Sequence, residues 1–447
     1  MKITDKLSLR ATEGSEAISK IASSCFASLA LLAMTQLICS NAYASDFKLQ
    51  SHGSIKQETA LRISQPRRLT KLRNQFLLSE SGRINSQLNF KISGRCYYDP
   101  VYEATDYYPK TVGSDQMYEA ELRDTYLDYS NGPFDLRIGK QQIVWGEAVG
   151  LFFADVVNAK DLREFVLPDF DMIRTPQWGI DAEYSRDKLH AEFVWLPVLE
   201  LNKTGVSGSE FAFPYPVPEN TTFTARDPDK PGNNFRNSEI GGRLSYIFNG
   251  LDVSIFNFYT WDKFPALARV INSGIYEFKQ TIKRLNIAGM TFAKEINDIV
   301  YKAEFVLNCK QYLPIFDTND ADGLVRKDNI DYLLGTDFTV KNVDINAQFM
   351  QRIIPKYDSR LVNEEKIRNS FALRLDKGFL DNKFKTEFLV IASLMNKDLL
   401  YRPSLTYTSG NNWKFKTGFD IFKGEADGIF GKFEKKSRIF FESTFSF

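Results

Sequence analysis

The chain has 447 residues, with 57 Lys+Arg against 56 Asp+Glu and an unusual stock of aromatics, 37 Phe and 20 Tyr. This charge balance gives no reason to expect nucleic acid or an anionic surface as partner. Beyond Ala44 no stretch approaches the ~18 unbroken apolar residues of a membrane helix, which argues against a helical membrane protein.

Lys2, Lys6, Arg10 and Lys20 precede a segment that carries no charge until Asp46. Ala42-Tyr43-Ala44 then has the small-residue spacing of a cleavage site. This predicts a secretory signal peptide over 1–44, cut near Ala44, and a single domain over 45–447. The alternative is an uncleaved anchor. Cys25 and Cys39 would leave with the signal, and Leu37-Ile38 lacks the small residue of a lipoprotein box.

From there on, period-2 alternation recurs over stretches of about ten residues. Leu88, Phe90 and Ile92 alternate with Asn89, Lys91, Ser93 and Arg95. Trp178, Ile180, Ala182 and Tyr184 alternate with Gly179, Asp181 and Glu183, and Leu189, Ala191, Phe193 and Trp195 with His190, Glu192 and Val194. The same pattern returns at 301–308, 343–350 and 413–422. SRDK at 185–188, NG at 249–250, KN at 341–342, FLDN at 379–382 and SGNN at 409–412 have tight-turn chemistry. Between them fall mostly long connections, around 99–116, 146–175, 198–234, 263–281, 311–328, 356–365 and 424–433. Short turns on one side and long loops on the other predict an all-β fold, a transmembrane antiparallel β-barrel of about eighteen strands with periplasmic turns and extracellular loops. A soluble sandwich or propeller is the alternative. The signal segment, the loop asymmetry and the charges on the polar face of nearly every strand favour the membrane barrel. The C-terminal RIFFESTFSF alternates up to Phe447, resembling the strand that the outer-membrane barrel-assembly machinery recognises. Cys96 and Cys309 fall on strands far apart and are expected as two free thiols.

The segment after Phe134 breaks this pattern. A wall strand is expected to run from Phe134 to about Trp145, where Gly146 and Gly150 interrupt it. LFFADVV follows without alternation. Asn158 with Asp161 three residues on suggests a capped helix through AKDLREF, ended by Pro168, and the strand resumes at Gln177. An apolar loop of this size exposed to water would invite aggregation. The expectation is a third loop folded into the lumen, with Trp145, Gly146, Glu147, Asp155, Asn158, Asp161, Arg163, Asp169 and Asp171 forming a constriction. A lid packed over the rim is the alternative.

RIGKQQIVWGEA, DVVNAKDLREF and LPDFDMIRTPQWGIDAEY, with the later FAFPYPVP, NSEIGGRLSY and FPALAR, resemble the signature of a family of Gram-negative outer-membrane proteins. That family is known only as a domain of unknown function and is distantly similar to alginate-export porins. The resemblance covers essentially the whole mature chain and implies a monomeric porin-like barrel in the outer membrane, without naming a substrate. The mixed charges depart from the strongly cationic lumen of alginate exporters.

With the apolar set facing lipid, the lumen is expected to be lined by Arg95, Arg137, Glu192, Arg243, Asp344, Arg352, Arg374, Arg402, Lys414 and Lys416, among others. Cross-strand ion pairing is the plain reading of these charges. A basic ladder on the last strands is the sharper one. Only His52 and His190 exist, with no nucleophile evident beside either, and there is no phosphate loop, no GxSxG and no Cys/His metal spacing. No enzyme activity, cofactor or metal is expected. The functional expectation is a channel for small solutes. The rivals are a barrel handling hydrophobic or lipid-like cargo in an export system, and a non-conducting barrel that binds a surface partner.

Overall fold

The computed structural model describes residues 49–447 except 147, 149–150, 214–222, 227, 273–274, 318, 363 and 395–396. The signal-peptide expectation and Glu147 therefore lie outside the described residues.

Eighteen strands form one sheet. In chain order they are β1 Leu49–Arg62, β2 Arg68–Arg83, β3 Leu88–Tyr98, β4 Tyr118–Asn131, β5 Phe134–Gln141, β6 Gln177–Arg186, β7 Leu189–Leu196, β8 Glu239–Phe248 and β9 Leu251–Trp261. They continue as β10 Arg284–Ile296, β11 Ile299–Pro314, β12 Leu324–Val340, β13 Val343–Ile353, β14 Ile367–Phe379, β15 Phe384–Ser393, β16 Asp398–Ser409, β17 Trp413–Lys423 and β18 Arg438–Ser446. Each pairs antiparallel with its sequence neighbour. β18 closes the barrel on β1, with Ser54 opposite Ser446 and Arg62 opposite Arg438. Closure leaves no free sheet edge.

The turns at one end fold as their residues demand. Asn249-Gly250, Asn297-Asp298 and Lys341-Asn342 hold both central residues at positive φ, the conformation whose twist matches that of the flanking strands. The other end carries the long connections, of which 142–176 is the third, after 63–67 and 99–117. The connection expected at 311–328 is only 315–323, because β11 and β12 continue to Pro314 and from Leu324.

The outer face is apolar and exposed: Phe134 is 58% and Leu334 55% accessible, with Ile55, Ile138, Phe193 and Ile255 alike. The inner face carries the charges. This inverts the pattern of a water-soluble barrel and suits one that crosses a bilayer with strands. No helix among the described residues is long and apolar enough to cross a membrane.

Two local expectations are corrected. The wall strand that starts at Phe134 ends at Gln141 rather than near Trp145. Ala159–Leu162 is a strand, not a helix: it pairs antiparallel with Arg174–Thr175 and parallel with Lys203–Thr204. Asn158 does not cap a helix because its amide is engaged elsewhere. Its Oδ1 accepts from the Ile143 backbone N–H at 3.1 Å and its Nδ2 donates to the Ile143 carbonyl at 2.5 Å. Cys309 is a free thiol, so no disulfide joins it to Cys96.

Candidate functional site

The inner face has two sectors, and the 142–176 connection touches both. From β12 to β17, toward the long-loop end, Leu333, Met350, Ala372, Leu389, Ile391, Leu400 and Phe422 form a buried apolar stripe. Val194, Leu196, Phe256, Phe258, Leu285, Ile287 and Val306 extend it over β7 and β9–β11. From β16 through β18 to β4 the inner face is charged instead.

Residues 161–167 divide between these sectors. Phe165, Val166 and Leu167 join the apolar stripe, where Phe165 meets the rings of Phe422, Phe430 and Phe433. Glu164, beside them, takes the charged sector. It pairs with Arg73 at 2.6 Å, with Lys71, and with Arg438 at 3.6 Å. Burial works to raise the Glu164 carboxyl, but Arg73, Lys71 and Arg438 hold it well below the usual carboxylate range. Arg163 donates to Glu119 at 2.7 Å and to the Asp115 carbonyl at 2.8 Å. Asp161 accepts from Arg163 at 2.5 Å.

Upstream, Trp145 is buried against Phe256 and Phe258, and its indole N–H donates to Glu192 at 2.9 Å. Gly146 permits a close chain approach: a Cβ there would stand 2.6 Å from the Asp155 nitrogen. Asp155 takes Arg174 at 2.6 Å. The Ala154 N–H reaches Glu304 on β11 at 3.0 Å. Lys160 is half-buried over the Phe152 ring at 4.8 Å, and desolvation lowers its pKa. Asp169 and Asp171 are exposed on and beside the short Phe170–Ile173 helix. Trp145, Gly146, Asp155, Asn158, Asp161 and Arg163 are thus brought together in one anchored loop, with the two exposed aspartates at its edge.

The lumen-lining set is mostly neutralised. Arg95 pairs with Glu121 at 2.8 Å, Arg137 with Asp128 at 3.4 Å and Arg352 with Asp331 at 2.7 Å. Arg374 pairs with Asp376 and Glu387, and Arg402 with Asp420. Arg243 donates to the Ser254 hydroxyl, and Asp344 accepts from the Thr339 hydroxyl. Lys414 is exposed near the turn end, whereas Lys416 faces the cavity described next. Most of the basic ladder is therefore compensated, as plain ion pairing predicts. His190 bonds Glu183 at 2.8 Å rather than Glu192. No group of three or more metal-capable side chains occurs among the described residues.

Between the loop and strands β1–β3 and β16–β18 lies a cavity of about 80 Å³. Lys56, Glu58, Arg73, Arg163, Lys416 and Glu442 are among its walls. Two further connections close in from the long-loop end. Glu210, from 197–238, accepts from Arg62, from Arg68 at 3.0 Å and from Tyr108 at 2.8 Å. Asp398 accepts the Phe430 N–H at 2.9 Å and the Gly431 N–H at 2.5 Å, which seats Phe430 and Phe433 on the stripe. Sequence alternation could not reveal these clasps, because each joins a connection to residues distant from it in the chain, at strand ends or on another connection.

A closed antiparallel barrel of eighteen strands, apolar outside and charged within, has the fold of the outer-membrane porins. Acinetobacter baumannii OccAB1 superposes with TM-score 0.54 at 11% identity, over 91% of this chain and 98% of that one. A. baumannii OccAB3 gives 0.51 at 10%, over 90% and 99%, and Pseudomonas aeruginosa OccK8 (OprE) 0.51 at 9%, over 90% and 98%. At such identity these likenesses speak to the fold alone. Residues 70–383 match the model of the DUF1302 family, described as a protein of unknown function, and the chain belongs to that family. No curated protein matches it.

Proposed function

We propose that this protein is an outer-membrane channel for passive transport of small polar solutes, constricted by the loop between Gln141 and Gln177 lying in the lumen. The observation that carries this reading is the division of residues 161–167. Their apolar side chains hold the loop to the apolar stripe, and Arg163 and Glu164 turn to the charge-lined cavity left beside it. At about 80 Å³ this cavity holds only a few waters, at ~30 Å³ each, a size that supports reading it as the narrow point of a polar path. In this reading the long loops face outward, the turns face the periplasm, and the strand ending at Phe447 is the one presented to the assembly machinery.

The test is conductance of the refolded protein in a planar bilayer under a salt gradient. The expected result is ohmic steps that enlarge when residues 147–170 are deleted. Silence from well-folded protein would overturn the channel.

A second reading is favoured by the apolar stripe, which an aqueous pore does not need. A barrel handling hydrophobic or lipid-like cargo would expose that stripe once the loop lifts. It predicts co-purified apolar ligand and little conductance.

A further inference from the structure

On the outer face, at the long-loop end of β9–β12, three cations are held on aromatic rings. Arg284 lies 3.9 Å from the Trp261 ring and 4.8 Å from that of Tyr259. Lys283 and Arg326 share one ring, at 5.0 and 5.4 Å from the Tyr312 centroid. Register explains the clustering: Trp261 is opposite Arg284, and Tyr312 is opposite Arg326. Arg284 is further fixed by the carbonyls of Ser238, at 3.0 Å, and Arg236, at 2.5 Å. None of the three forms an ion pair with a carboxylate among the described residues. Asp328, on the same outer face of β12, accepts the Lys310 backbone N–H at 2.8 Å instead.

This contrasts with the inner face, where Arg95, Arg137, Arg352, Arg374 and Arg402 each have a carboxylate. Aromatic rings at a barrel rim sit at the membrane interface. Cations fixed on such rings face lipid head groups, and two that share one ring repel each other until an anion lies between them. Arginine forks also match phosphate geometry. We infer that this rim docks the phosphate of an outer-leaflet glycolipid, with Lys283, Arg284 and Arg326 as its ligands and Tyr259, Trp261 and Tyr312 as their supports. The inference rests on the outer-membrane reading above.

The test uses the full mature barrel and the variant K283Q/R284Q/R326Q, both first checked for folding and for insertion into a planar bilayer. Each is then mixed in detergent with lipid A carrying two phosphates, and bound lipid is counted by native mass spectrometry. The expected result is retained lipid A on the wild type and at least tenfold weaker retention by the variant. Dephosphorylated lipid A is expected to bind both poorly, and millimolar inorganic phosphate not to displace the lipid. Equal retention by wild type and variant, or no loss on dephosphorylation, would overturn the inference. Displacement by inorganic phosphate would reassign the site to a free anion. If neither form inserts, it is the outer-membrane reading that fails.

Discussion

Arg402 on β16 donates from Nη2 to the carbonyl oxygen of Leu167 at 2.6 Å while its Nε bonds Asp420 at 2.9 Å. One wall guanidinium thus satisfies a backbone acceptor on the long loop and stays paired on its own side. Arg402→Ala should free the 166–167 carbonyls, at a cost of about 1.5–3 kcal/mol for hydrogen bonds to a charged group. The expected outcome is a larger and noisier unitary conductance. Unchanged current would mean that Phe165 and its neighbours alone hold the loop.

Glu164 gives this anchor a pH dependence. Its carboxyl is depressed in the folded protein, so the stability it contributes is fully present above the ordinary carboxylate pKa. That stability is lost only as pH falls through the depressed value. Wild-type conductance should therefore hold steady from neutral pH through pH 5. Glu164→Gln removes the closest carboxylate of Lys71 and Arg73 and leaves them only Glu58 at 3.7 Å and Asp99 at 3.8 Å, a loss of up to about 3–5 kcal/mol. It should behave at pH 7 as the wild type does in strong acid. A wild-type transition near pH 6 would contradict this account.

Much of the barrel was legible because a strand's side chains alternate whatever surrounds them. The apolar stripe was not legible: Val194, Val306, Met350 and Phe422 stand in otherwise polar registers, and only the closed barrel brings them side by side. The loop was legible only as an anomaly. Its helix was misread because Asn158 offers the same amide to a helix start as to a neighbouring chain, and only the tertiary fold selects Ile143. The closures by Glu210 and Asp398 were not legible, since neither has a local signature.

That use of Asn158 is itself testable. Asn158→Ala orphans the Ile143 N–H and carbonyl in a buried site, which costs about 1–3 kcal/mol. The Ile143 amide should exchange faster with solvent, while amides on the far wall, such as Phe371, keep their rate. Uniform acceleration would mean that Asn158 supports the whole barrel rather than the loop's base.

The barrel closes through its last residue. Phe447 exchanges two backbone hydrogen bonds with Gly53, at 2.9 and 3.0 Å, and its ring lies over the Gly53 backbone. A Cβ on Gly53 would stand 2.3 Å from that ring, so glycine here makes room for the terminal aromatic. Phe447→Ala should lower the yield of assembled barrel, read as the fraction of unheated protein migrating in the compact form. Gly53→Val should do the same by displacing the ring. Because both changes act on one contact, the double variant should assemble no worse than Phe447→Ala alone. Additive losses would instead assign Gly53 a role in strand pairing that does not involve the ring.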